Sequence, residues 1–155
     1  MKIRTLYLLL TAMGFAMMPV ARPAMAVTKT PLTFLTSVTL VDPGTQWVTG
    51  NTLHVRGEVF SGIVSGDLTG TNTTVVNTDL NVNNPAVAVT GIQIRAKFTL
   101  TTATVTWTGS ITDSGPLGLG TTHVEARGTD GSILSGALFG LPDGTFLFQG
   151  MLMTP

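Results

Sequence analysis

The stretch IQIRAKFTL (Ile92–Leu100) alternates apolar and polar side chains without a break. Ile92, Ile94, Ala96, Phe98 and Leu100 fall on one side, and Gln93, Arg95, Lys97 and Thr99 on the other. A period of two is the signature of a β-strand with one buried face, and a helix cannot satisfy it. The next segment, TATVTWTG (Thr102–Gly109), repeats the pattern and predicts an antiparallel neighbour.

The same reading predicts strands at LTFLTSVTL (Leu32–Leu40), TLHVRGEVF (Thr52–Phe60) and GIVSGDLTGTNTTVV (Gly62–Val76), the last bent at Gly66 and Gly70. THVEARG, SILSGALFG and GTFLFQGMLM complete the set. Turn chemistry separates them at DPGT, TGN, DSGPLG, TDGS and LPDGT, which places Asp113, Asp130 and Asp143 in turns. NTDLNVNNPAVAVTG (Asn77–Gly91) reads as one long loop, a candidate lid. About eight short strands without a helix predict an all-β fold, a single antiparallel barrel closed on itself.

An internal echo runs through this pattern. IVSGDLTG (Ile63–Gly70) and ILSGALFG (Ile133–Gly140) share a Ser-Gly-x-Leu-x-Gly core, and His-Val pairs precede both, at His54 and His123. The echo predicts an internal pseudo-repeat of two related hairpin units, with glycines at bends or close approaches.

Residues 1–26 stand apart. MKIR is a basic start, LYLLLTAMGFAMMPV an apolar run, and Ala24–Ala26 (AMA) a small-residue cleavage site, the layout of an export signal removed before folding. The expected mature chain, 27–155, is one domain that is secreted or periplasmic, with no membrane segment once the signal has gone. It carries five basic and eight acidic side chains, a balance of −3 that offers no footprint for nucleic acid. There is no cysteine, which excludes thiol nucleophiles and Cys-ligated metals, and two histidines cannot make a three-His zinc site. No metal and no organic cofactor are expected. Asn72-Thr73-Thr74 matches a glycosylation acceptor, relevant only to a eukaryotic secretory route.

The chemistry-bearing residues concentrate in two alternating rows. Strand geometry predicts that His54, Arg56 and Glu58 share one face, and that His123, Glu125 and Arg127 share another. Two arrangements satisfy this pattern. Facing solvent, the rows are cross-strand Arg–Glu pairs worth at most about 1 kcal/mol each. Facing a cavity, His is a proton carrier, Glu its orienting partner or the general base, and Arg the stabiliser of developing oxyanion charge. These six are the candidate catalytic residues. Phe60, which shares parity with His54, and Asp67, which symmetry does not explain because Ala137 replaces it in the echo, are candidate ligand contacts. Trp107 is expected in the core or at the rim.

With VRGEVFSGIVSGDLTGT (Val55–Thr71), ATVTWTGSI (Ala103–Ile111) and GTFLFQG (Gly144–Gly150), the chain resembles the allene oxide cyclase and dirigent barrel superfamily, and within it small bacterial barrels. The resemblance spans Thr52 to Gly150, and it carries residue by residue only to Ser65-Gly66-Asp67 and the Arg56 strand. It implies an eight-stranded barrel, often homo-oligomeric, that steers a small, largely apolar molecule without a cofactor. The expected function is therefore binding of such a molecule, with cofactor-independent isomerisation or cyclisation as its catalytic form. The alternative is a structural or adhesive envelope protein, favoured by Thr-rich, uncharged strands.

Overall fold

A computed structural model of the chain describes residues 26–81, 92–115 and 122–155. Residues 1–25 of the expected export signal and positions 82–91 of the expected lid lie outside the described residues. The described chain is all β, with no helix: β1 (Thr28–Thr36), β2 (Thr39–Asp42), β3 (Thr45–Thr49), β4 (Thr52–Gly66), β5 (Gly70–Asn81), β6 (Ile92–Thr102), β7 (Thr106–Gly115), β8 (Thr122–Gly128), β9 (Ile133–Gly140) and β10 (Phe146–Thr154).

Eight of these strands form a closed antiparallel barrel in the order β1-β10-β9-β8-β7-β6-β5-β4. It closes where Phe34, Leu35 and Thr36 of β1 pair with Gly66, Ser65 and Val64 of β4. Asp67 extends this seam: its carboxylate accepts the Thr33 N–H at 2.7 Å and its own N–H donates to the Thr33 carbonyl at 3.1 Å. β2 and β3 lie outside the ring and continue along the free side of β4.

The alternation expected of β6 holds, with Ala96, Phe98 and Leu100 buried in the barrel. Leu32 and Phe34 of β1, Val64, Trp107, Val124, Ala126, Leu134 and Phe148 complete the core. Phe34 and Phe148 stack across it, ring centroids 4.5 Å apart. Trp107 is a core residue: its Nε1 donates at 2.9 Å to the hydroxyl of fully buried Ser132, which in turn donates to Asp130 at 2.6 Å.

Several expectations are corrected. Gly62–Val76 is two strands, because β4 ends at Gly66 and β5 starts at Gly70. β7 begins at Thr106 rather than Thr102, since Thr102 to Val105 turn the chain through Thr102 hydrogen bonds. Asn77–Asn81 continue β5, paired with β4 and β6. Asp113 is a strand residue of β7 opposite Ile94, on the inward face, and its Oδ1 is buried without a hydrogen-bond partner among the described residues. Sheet pairing outweighs the turn chemistry of Asp-Ser-Gly there. Asp130 and Asp143 are turn residues as expected. Asn72 points inward and donates to Thr36 Oγ1 at 2.6 Å, so the sequon is not presented to solvent. The echoed segments occupy different structures: Ile63–Gly70 spans the end of β4, a turn and the first residue of β5, whereas Ile133–Gly140 is entirely β9.

Candidate functional site

The polar rows are set by one irregularity. Val55 opposes Thr78 and Glu58 opposes Val76, so Arg56 and Gly57 together face a single residue, Asn77. This β-bulge, with Gly57 at φ +72°, reverses the parity of the strand. His54 and Arg56 point to the outer wall, while Glu58 joins Phe60, Gly62 and Val64 on the inner face. The expectation that His54, Arg56 and Glu58 share a face is thereby corrected. Phe60, opposite Thr74, is half-buried on the inner face above the core.

His123, Glu125 and Arg127 do share a face, and it is the exposed outer wall of β8, because Val124 and Ala126 fill the interior. Their cross-strand neighbours are Thr112, Ser110 and Thr108 on β7, and Ala137, Ser135 and Ile133 on β9. β4 and β8 are four strands apart in either direction around the ring. Both histidine rows therefore point away from the barrel on opposite sides, and they do not form one site. Among the described residues no Arg–Glu pair forms.

The groups that do converge are on the outer wall of β3, β4, β5 and β6. Trp47, His54 and Asp79 are cross-strand neighbours in one row. Arg56 flanks them, and Asn77 and Arg95 oppose each other in the next row. Asp79 Oδ1 accepts from His54 Nδ1 at 2.6 Å and from Arg56 Nη2 at 2.6 Å. Arg56 Nη1 donates to the carbonyls of Val55 and Thr78, each at 2.8 Å. The His54 ring stacks on Trp47 at 5.2 Å, and the Arg56 guanidinium sits 5.6 Å from the Trp47 ring centre. Asn77 Oδ1 accepts the Gly57 N–H at 2.9 Å, which ties the bulge to the site.

Hydrogen bonds from Arg56 and then His54 hold the Asp79 carboxyl below the usual carboxylate value, with their charges adding to the effect against some desolvation. Arg56, Asn77, Asp79 and Arg95 line an open depression of about 350 Å³. Arg95 makes no ion pair among the described residues. His54 and Arg56 are marked in the sequence by their alternating polar row, whereas nothing in the sequence singles out Trp47, Asn77, Asp79 and Arg95. Inside the barrel, by contrast, the space bounded by Phe34, Asn72, Phe98, Ile111 and Phe148 amounts to about 30 Å³. That holds a water or two, whereas small-molecule pockets run to several hundred Å³. Among the described residues no group of three His, Asp or Glu side chains is placed to hold a metal ion. Comparison of the chain with protein-family models, curated proteins and solved structures gives no match.

Proposed function

We propose that this chain is an exported, non-catalytic barrel, secreted or periplasmic, that serves as an adhesive envelope protein and binds a polyhydroxylated ligand of the glycan class on the outer wall of β3–β6. The observation that carries this reading is the contrast in space among the described residues: about 30 Å³ in the barrel core around Phe34 and Phe148 against about 350 Å³ in the outer depression. The depression offers alternating donors and acceptors, with guanidiniums at Arg56 and Arg95, an amide at Asn77 and an ionised carboxylate at Asp79. Vicinal hydroxyls each donate and accept, so they can use the guanidiniums, the Asn77 amide and the Asp79 carboxylate together, whereas a simple anion has no donor for Asp79. Trp47, 44 % exposed beside the cluster, adds an apolar ring surface for a sugar face.

The test is a glycan array followed by calorimetry on the mature chain from Val27. Binding to a defined glycan that Arg95→Met weakens at least tenfold, with an unchanged melting temperature, supports the reading. No glycan bound, or binding indifferent to Arg95→Met, overturns it.

A second reading, binding and isomerisation of a small apolar molecule at the barrel mouth, is favoured by two inward acids, Glu58 turned in by the bulge and Asp113, whose Oδ1 has no partner among the described residues. A small apolar compound that raises the melting temperature of the native chain and not of Glu58→Gln would move the function to the mouth.

A further inference from the structure

β3 is paired on one side only. Its five residues, Thr45-Gln46-Trp47-Val48-Thr49, oppose Arg56 to Thr52 of β4 without a register shift, and no strand among the described residues pairs with the other edge. All five are exposed, with Val48 at 58 %. Sheet edges are ordinarily protected by charge, proline or a bulge. The neighbouring edge strand β2 carries such protection, with a register irregularity between Leu40 and Asp42, the charge of Asp42, and Pro43 immediately after it. β3 has none of them.

The backbone of β3 sets what such an edge can accept. The two-residue turn Gly50–Asn51 is closed by the Thr49–Thr52 pair, which makes that pair the hydrogen-bonded one. Antiparallel alternation then makes Trp47–His54 hydrogen-bonded, and Val48–Leu53 and Gln46–Val55 non-hydrogen-bonded. The N–H and C=O groups of Gln46 and Val48 therefore point away from β4, toward the open edge.

We propose that β3 pairs antiparallel with β3 of a second copy of this chain, about a two-fold axis at Trp47. The segment is self-complementary in that register: Thr45 meets Thr49, Gln46 meets Val48, and Trp47 meets Trp47. Gln46 and Val48 of each copy exchange hydrogen bonds with Val48 and Gln46 of the other, four in all, which uses the outward-pointing backbone groups. Trp47–Trp47 is the close, non-hydrogen-bonded pair, where aromatic side chains contribute most. No charged side chain meets another across the axis, because Arg56 and Asp79 stand behind β3 and compensate each other. The patch is small, so association belongs in the micromolar range rather than the nanomolar.

Sedimentation equilibrium of the mature chain from Val27, run from low micromolar to several hundred micromolar, is expected to show a twofold rise in average mass. Gln46→Pro removes one outward donor and blocks approach, yet its missing N–H faces solvent in the monomer, which edge strands tolerate. It should abolish the rise with little change in melting temperature. Because the chain has no cysteine, register can be read by cross-linking. Trp47→Cys should form a disulfide with itself, and Gln46→Cys only when mixed with Val48→Cys. A chain that stays monomeric throughout, a Gln46→Pro variant that folds and still dimerises, or a Gln46→Cys variant that self-links as readily as Trp47→Cys would each overturn the proposal. Should Gln46→Pro fail to fold, the cysteine register decides alone.

Discussion

Asp79 takes two charge-assisted hydrogen bonds on one oxygen, from His54 and from Arg56, and that makes it the hub of the outer-wall cluster. Its carboxyl titrates below the usual value of 3.8, so the stabilisation it supplies is complete above that value and fades as pH falls through the lowered folded one. The side chain is 36 % exposed, and screening limits the pair to about 1 kcal/mol or less. Asp79→Asn should therefore lose up to about 1 kcal/mol at neutral pH in urea melts, and it should flatten the acid limb of stability below about pH 4. Acid limbs that run parallel in the two proteins would show that Asp79 is not the titrating hub. A second residue-scale expectation concerns Ser132, whose hydroxyl is the acceptor for the buried Trp107 Nε1. Ser132→Ala strands that donor and should cost about 1–3 kcal/mol by denaturant titration. His54 and Arg56 were legible in the sequence as polar members of an alternating strand. Asp79 was not, because Asn77-Thr78-Asp79 leads into an Asn-rich run that reads as loop chemistry, and its partnership with His54 exists only once β4 and β5 are in register.

At the level of elements, β4 decides what the protein displays. Fifteen residues long, it borders β5 on one side and β1, β2 and β3 in turn on the other. Regular alternation through Arg-Gly-Glu would have kept His54, Arg56 and Glu58 together. The bulge at Arg56–Gly57 separates them and sends His54 and Arg56 out and Glu58 in. A glycine between two charged residues was the available sign, and it is weak, since a glycine inside a strand marks several different irregularities. β6 was legible throughout because nothing interrupts its pairing on either side. Gly57 has open space where a Cβ would go, so the cost of substitution there lies in φ alone. Gly57→Ala should destabilise by roughly 1–2 kcal/mol, the penalty of the left-handed region for an L-residue. A neutral result in denaturant melts would mean that β4 runs without the bulge, in which case Glu58 would rejoin the outer face.

At the scale of the whole barrel, closure and narrowness go together: among the described residues, the space around Phe34 and Phe148 is only about 30 Å³. Gly136 on β9 and Gly150 on β10 sit opposite each other beneath the Phe148 ring, which itself stacks on Phe34. Where glycines face each other the strands leave room for an aromatic ring, and the Phe34–Phe148 pair fills the lumen that a wider barrel would leave for a ligand. The all-β, closed architecture was legible from alternation and turn spacing, and so was the importance of glycine. Which glycines lie under a ring depends on cross-strand register, and the echo between Ile63–Gly70 and Ile133–Gly140 does not reveal it. Two glycines of one strand on the same inward face separate the possibilities. A Cβ at Gly136 would lie 2.7 Å from the Gly150 Cα and 2.7 Å from Phe148 Cζ, and would overlap the Gln149 carbonyl oxygen. At Gly140, four residues on, the nearest atom is Phe146 Cε1 at 3.9 Å. Backbone cannot move aside as a flexible side chain does, so Gly136→Val should cost about 3 kcal/mol or more, the upper end for overpacking. Gly140→Val should stay within about 1 kcal/mol of native, since a β-branched residue suits a strand that has space for it. Equal losses in paired urea melts would mean that the lumen is not closed at the level of Phe148, and the space for an internal ligand would have to be reconsidered there.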